Sequence, residues 1–332
     1  MNPIKVSKKS SVPRYKQIVN SIEQAIHSGA LIKGDKLPSL NNIKNSHSVS
    51  RDTVLIAYND LKSRGVIQSI VGKGYYVLSE NIDVSLKIFL LFDELNSFKE
   101  DLHNSFIGSL GDKIQVDIFF HHFDQNMFNK LIGDNIGSYN YYVIMPANFE
   151  NSNDTIQYLP EDKVYILDQT HPDLNHYPSV FQNFENNIHK SLTEGVDLIK
   201  KYTKIVLLFD KIKQPTGIMN GFLNFCKDHK IESEVVSTLE NRTPKIGEIY
   251  FVLDDKNLIR IIKKIKNQKL KLGHNIGIIS YNDTILKDVV ENGITTISTD
   301  FNAMGMRLAE MILKNEKLKE ENPSRLTIRK SL

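Results

Sequence analysis

The 332 residues are too many for one ordinary core and fit two or three domains. Hydrophobic residues make up 40% and charged residues 24%, the profile of a globular chain, and no apolar run reaches the roughly 18–20 residues of a membrane span. The net charge of +3 hides a split: residues 1–77 hold 12 Lys/Arg against 4 Asp/Glu and the remainder 30 against 35, so a basic head suited to a polyanion precedes a mildly acidic body. The basic start lacks an apolar h-region, and Cys226 alone cannot form an internal disulfide, so a cytoplasmic location is expected, with Cys226 as a small core residue.

The first predicted helix follows Pro13, with Ile18, Ile22, Ala25 and Ile26 on one face and Gly29 ending it. Gly34-Asp35 and Pro38 mark turns, and Ser39 caps a short second helix anchored by Leu40 and Ile43. A break at His47-Ser48 precedes a third helix, capped by Ser50 or Ser48, with Val54, Ala57, Tyr58 and Leu61 as its buried stripe and Gly65 as its stop. Ser50, Arg51 and Thr53 then lie in its first turn, away from the stripe. Free N–H groups and the helix dipole favour phosphate there, and short hydroxyls beside a guanidinium can reach base edges. VIQS and YYV read as a hairpin turning through Gly72, Lys73 and Gly74. Three helices and a basic-tipped hairpin make a winged helix-turn-helix.

The pieces PRYKQI, GALIKGDKLPS, VSRDTV, LKSRGVI and GKGYYV, in this order, resemble the DNA-binding domain of the GntR family of bacterial regulators. The resemblance implies operator contacts from Ser39, Ser50, Arg51, Thr53, Gly72, Lys73 and Gly74. Asn41 and Leu55 stand where that family usually has arginine, which weakens the phosphate contribution. Asn41, Asn42 and Lys44 are candidates to replace the lost contacts, with Ser48 beside them.

Residues 78–86, LSENIDVSL, read as a linker. From Lys87 short apolar runs alternate with amphipathic stretches. Strands are expected in KIFLLFD, VDIFFHHF, YYVIMPA, KVYILD, KIVLLFD, SEVVST, EIYFVLDD and NIGIISYND. Helices are expected in FKEDLHNSFIGSLGDK, NNIHKSLTEGVDLIKKY, GIMNGFLNFCKDHK and NLIRIIKKIKNQ. This alternation predicts an α/β body of parallel sheets, and the restart near Lys204 predicts two Rossmann-like lobes. Ligands of such lobes sit at the carboxyl ends of strands, here marked by Asp93, Asp168, Asp210, Asp254, Asp255, Asn282 and Asp283, with Phe92, Phe98 or Phe184 as an apolar wall. For any one aspartate taken singly, capping the next helix is the simpler role.

GHNIGIISYNDT, GITTISTDFNAMGMRLAEMIL and SRLTIRKSL are similar to the effector domain of LacI-type repressors, a periplasmic-binding-protein-like fold. The resemblance implies a homodimer with a sugar-like effector between lobes. It implies chain crossings near 169–182, 282–298 and 325, and ligand contacts at Asp168, Asp254-Asp255 and Asn282-Asp283. Asp300 is expected to cap the helix after it. Ile218 stands where a sugar-clamping arginine is usual, with Lys211, Lys213 or Asn220 as substitutes.

The expected organisation is a winged head over 1–77, the linker 78–86 and an effector and dimerisation domain over 87–332. Its lobe 1 covers about 87–168 and 299–325, and lobe 2 about 183–282. No metal, cofactor or catalytic constellation is expected. The adjacent His121-His122 read as surface or loop residues, and no phosphate loop or nucleophile elbow is present. The rival architecture, such a head on a pyridoxal-phosphate aminotransferase-like body, is disfavoured because residues 87–332 are short for it and frame no Schiff-base lysine. The expected function is a repressor of transcription, acting on double-stranded operator DNA under control of a small polar effector, with no membrane partner.

Overall fold

The structure, a computed structural model, describes residues 4–7, 10, 12–82 and 86–332. Residues 83–85 of the expected linker lie outside the described residues.

The head comprises α1 (Arg14–His27), α2 (Leu40–His47), α3 (Arg51–Ser63), β1 (Ile67–Ile70) and β2 (Gly74–Val77). Ser39 Oγ accepts from the Asn42 amide at 3.2 Å and Ser50 Oγ from the Thr53 amide at 3.1 Å, so each helix begins at a hydroxyl cap. Ser48 is not the cap of α3. It ends α2 in the left-handed conformation, φ 52°. Ile18, Ile22, Ile43, Val54, Ala57, Tyr58 and Leu61 close one core with Val66 and Val77 of the hairpin. The Tyr58 hydroxyl donates to the Pro38 carbonyl at 2.7 Å, tying α3 to the turn that launches α2.

The body continues with β3 (Leu86–Phe92), α4 (Ser97–Leu110), β4 (Ile114–Phe120), α5 (Gln125–Asp134), β5 (Tyr141–Ile144), α6 (Asn153–Ile156), β6 (Val164–Asp168) and β7 (Ser179–Phe181). Next come α7 (Phe184–Glu194), α8 (Val196–Ile199), β8 (Lys204–Leu208), α9 (Thr216–His229), β9 (Glu232–Val236), β10 (Glu248–Val252), α10 (Asp255–Asn267) and β11 (Gly277–Tyr281). The chain ends through α11 (Ile285–Val289), β12 (Thr295–Thr299), α12 (Phe301–Lys314), β13 (Lys319–Glu321) and β14 (Ser324–Thr327). Two six-stranded sheets result, ordered β13-β7-β6-β5-β3-β4 and β14-β12-β11-β10-β8-β9. Strands run parallel in β3–β4, β3–β5, β6–β7, β7–β13 and along β9-β8-β10-β11-β12, while β14 lies antiparallel to β12. This is the expected α/β architecture with a winged head.

Two expectations need correction. Residues 282–298 do not pass between sheets, because β12 sits wholly inside the second sheet, beside β11 and β14. The changes of sheet fall after β7, after β12 and between β13 and β14. Four strands also escaped the sequence reading: β7, β12, β13 and β14. TTIST of β12 looks polar, yet it is buried because its hydroxyls are used: Thr295 Oγ1 donates to the Arg329 carbonyl at 3.1 Å and Thr299 Oγ1 to the Pro323 carbonyl at 3.0 Å. His121 is likewise no surface residue. It is fully buried, edge-on to Phe128 of α5 at 5.4 Å between centroids, whereas His122 is exposed.

The chain divides into two compact units, Met1–Phe92 with Leu110–Ile144 and Asn153–Tyr165, and Asp93–Ser109 with Met145–Ser152 and Ile166–Leu332. The division does not follow the head and body expected from sequence. In the first unit the head is joined to β3 and β5: Asn140 Nδ2 donates to Ser63 Oγ at the end of α3 (2.9 Å), and Asn140 Oδ1 accepts from the Lys87 amide (2.8 Å). Arg64 pairs with Glu23 of α1 at 2.5 Å and donates to the Ile82 carbonyl at 3.2 Å, fixing the last turn of α3 to the segment leaving the head.

In the second unit Cys226 is buried as expected, and burial pushes its thiol up to about 11. Phe222, Phe225 and Cys226 of α9 pack with Ile188 and Leu192 of α7 in one core. The helices approach so closely at Gly221 that a Cβ there would run into the Glu185 carbonyl of α7. Gly221→Ala is therefore expected to destabilise the fold by about 1–3 kcal/mol, the usual cost of overpacking. A chemical-denaturation midpoint equal to that of the parent protein would contradict this packing.

Candidate functional site

Two groups of residues carry the chemistry. On the head, Ser39, Asn41, Asn42, Lys44, Ser48, Ser50, Arg51, Gly72 and Lys73 are exposed, with Thr53 and Gly74 half-buried. Ser50 Oγ lies 2.7 Å from Thr53 Oγ1, so both hydroxyls serve the cap first. Arg51 follows immediately and is exposed in the first turn, where the helix dipole adds positive potential. Across the hairpin Ile70 faces Gly74, and Gly72 (φ 73°) and Gly74 (φ 107°) take left-handed backbone that puts Lys73 at the tip. The reading missed Arg14, whose guanidinium approaches the Ser48 carbonyl at 3.5 Å, and Lys36, whose ammonium lies 5.8 Å from the Tyr76 ring centre. Arg14 stood inside PRYKQI, so its place there was the available signal.

In the second unit, polar side chains converge at strand ends. Asp93, just after β3, is buried and paired with the buried Lys99 of α4. Burial pushes the Lys99 ammonium down to about 8, against the opposing pull of the Asp168 charge. Asp168 holds a left-handed backbone, φ 71°, and its carboxylate accepts from Gln182 Nε2 at 2.5 Å. Gln182 Oε1 accepts in turn from the buried Tyr281 hydroxyl at 2.9 Å. Burial, with the Asp168 charge, raises the Tyr281 phenol far above its ordinary value and keeps it a donor. Phe98 lies against Phe301, 4.8 Å between centroids, as an apolar element of the same unit.

A second strand of contacts joins the loops. Asn148 Oδ1 accepts from Gln169 at 2.8 Å, and Asn148 Nδ2 donates to the Gln214 carbonyl at 2.7 Å. Gln214 Oε1 accepts from the Asp210 amide at 2.7 Å, and Lys213 pairs with Glu94 at 3.2 Å. Asp93 and Asp168 thus have polar partners of their own, while Asp210 is tied through Gln214 to Asn148 and Gln169.

Other expected residues have different uses. Phe92 is fully buried at the end of β3, and Phe184 packs in the α7–α9 core. Asp254 caps α10, accepting from the Asn257 amide at 2.8 Å and its side chain at 2.7 Å. Asp283 is held by both terminal nitrogens of Arg329 at 2.8 and 2.9 Å, and Asp255 pairs with Lys287 at 3.0 Å. Asn220 lies exposed on α9, 3.4 Å from Glu185. Ile218 is core, so the position of the missing arginine turns inward. Asn282 (φ 61°) is buried, and its Oδ1 has no hydrogen-bond partner among the described residues. Asp300 caps α12 as expected, accepting from the Ala303 amide at 2.9 Å.

The reading also missed Lys99, Gln182, Tyr281 and Lys287. Lys287 is 2% exposed and donates to the Tyr281 and Asn282 carbonyls at 2.7 and 2.6 Å, beneath the turn that carries Asn282. Burial holds its ammonium below the ordinary lysine range. Its signal was an inversion: in ILKDV the lysine is inside while Ile285 and Val289 are exposed. Among the described residues no helix is long and apolar enough to cross a membrane.

Residues 14–77 match the family model for bacterial regulatory proteins of the gntR family, and residues 198–332 match the periplasmic binding protein-like domain. The HTH-type transcriptional repressor YtrA of Bacillus subtilis (strain 168) is 31% identical over 103 residues, 30% of this chain and 78% of YtrA. The mannosyl-D-glycerate transport/metabolism system repressor MngR of Escherichia coli (strain K12) is 34% identical over 93 residues, 28% of this chain but only 39% of MngR. A LacI family transcriptional regulator from Enterococcus faecium, solved with bound ribose, superposes with a TM-score of 0.59 at 14% identity, covering 74% of this chain and 98% of that one. The last likeness is one of fold. With its capped helices, glycine-turned wing and close relation to YtrA, the chain belongs to the gntR family of bacterial regulatory proteins: it is a DNA-binding transcriptional regulator whose body has the periplasmic-binding-protein-like fold.

Proposed function

We propose that this regulator is a cytoplasmic homodimeric repressor, released from or locked onto a palindromic operator by a monosaccharide or sugar-like molecule held at the strand ends of its body. The observation that carries the reading is the buried Asp93–Lys99 pair together with the hydrogen-bonded chain from half-buried Asp168 through Gln182 to buried Tyr281, at the ends of strands from both sheets. Such groups offer fixed acceptors and donors to a polyhydroxylated ligand, and the Phe98–Phe301 pair is an apolar element of the same unit. The ribose bound by the E. faecium protein supports the ligand class. The aminotransferase alternative is not retained, because residues 198–332 match a binding-protein fold, and we assign the protein no catalytic role.

The mechanism is a population shift. Two heads of a dimer fit operator half-sites about 34–36 Å apart, or a multiple of that. Ligand binds one body conformer better, and the heads of that conformer have a different operator affinity. The bond from Asn140 to Ser63 passes the change to α3.

Four outcomes are expected. Arg51→Ala abolishes specific footprinting while ligand binding survives; a normal footprint would sink the assignment of α3. In a thermal-shift panel of pentoses, hexoses, deoxysugars and their phosphates, at least one sugar raises the melting temperature. Asp168→Asn, which tolerates the left-handed backbone, weakens that sugar at least about tenfold with operator binding intact. A well-folded protein silent to the whole panel would reject the sugar reading. Asn140→Ala keeps both binding activities but shrinks the ligand-induced change in operator affinity; an unchanged response would place the coupling elsewhere.

A further inference from the structure

The inner face of α3 is Val54, Ala57, Tyr58 and Leu61, all fully buried. Its outer face is Arg51, Asp52, Leu55, Ile56 and Asn59, of which Leu55 is half-buried and the others exposed. Ile56 is 53% exposed in the middle of this face, one turn beyond Asp52 and three residues before Asn59. On this stretch Arg51 is the sole cation and Asp52 opposes it. The helix therefore offers little net charge to phosphates, and its centre is aliphatic. In the major groove the aliphatic counterpart on a base edge is the C5-methyl group of thymine.

We propose that Ile56, flanked by Leu55, reads thymine methyl groups, so that operator half-sites carry a thymine under the middle of α3. The inference rests on the reading of α3 as the groove-facing helix. Arg51 and the capped first turn dock the helix end on phosphates and base edges. One turn further on, Ile56 gains binding by removing its own surface and a methyl group from water. A methyl buried in this way is worth about fourfold in affinity. Cytosine or guanine at that position presents a polar amino or carbonyl group and no methyl group to an aliphatic side chain.

The test uses the full-length chain. A duplex is selected from a random-sequence pool, then resynthesised with deoxyuridine replacing thymidine at one position at a time, which removes only the methyl group. The expected result is a position, repeated in both half-sites, where the substitution weakens wild-type binding about fourfold per methyl and leaves Ile56→Ala unaffected. Because Ile56 is exposed, Ile56→Ala is expected to melt with the wild type. The inference is overturned if no position distinguishes wild type from Ile56→Ala, or if Ile56→Ala unfolds more easily and binds all duplexes more weakly. Arg51→Ala is carried in parallel: if it selects the wild-type duplex, the groove-facing reading itself fails. If it does not, and uridine has no effect, only the methyl-reading inference fails.

Discussion

Asn140 has every hydrogen-bonding end of its side chain committed. Its Oδ1 accepts from the Lys87 amide, its Nδ2 donates to Ser63 Oγ, and its own amide donates to the Lys87 carbonyl at 2.8 Å. Ser63 is the last residue of α3 and Lys87 lies in the first strand of the body. One amide therefore holds the carboxyl end of α3 against the sheet. Lys87 is itself fixed, paired with Asp117 at 2.9 Å, with its ammonium 4.8 Å from the Tyr139 ring centre. The amino end of α3, with Arg51, is exposed while its other end is anchored beside β3. A head tethered only by a flexible segment would have no such means of sensing its body.

In the strand ends of the second unit the buried charges are paired. Burying a charge is costly unless it is paired, and Lys99, Lys287 and Arg329 each meet a carboxylate. Asn282 Oδ1 is buried without a hydrogen-bond partner among the described residues, and Asp168 is only half-buried. The changes of sheet are pinned by polar side chains too. Gln182 bridges Asp168 and Tyr281 at the first, and Asn322 Nδ2 reaches Thr299 Oγ1 at 2.6 Å, joining the other two. Satisfied polar contacts at such joints rigidify them and specify one geometry.

The head was legible almost residue by residue, because caps, stops and tight turns are local chemistry. Ser39, Ser50, Gly29, Gly65 and the glycines of the wing act within a few residues of themselves. The central body strands were legible as apolar runs. β12 was not, since its Thr and Ser side chains look polar until Arg329 and Pro323 return from the end of the chain to accept from them. Nor could sequence tell which strand-end carboxylates remain open. Asp254 is taken by its own helix and Asp283 by an arginine 46 residues away, a distance no local pattern encodes. Lys99 and Lys287 were passed over for the converse reason: lysine is usually outside, and only the fold shows these two inside.

Ligand-controlled DNA binding is a claim about coupling, and coupling is reciprocal. The decisive measurement is a calorimetric titration of the sugar giving the largest melting shift, into the free protein and into its complex with operator duplex. If body and head are linked, the sugar affinity differs between the two, by about 5–150-fold for a typical allosteric protein, and the operator affinity changes by the same factor when sugar is present. Equal sugar affinities, with both sites occupied, would contradict the account.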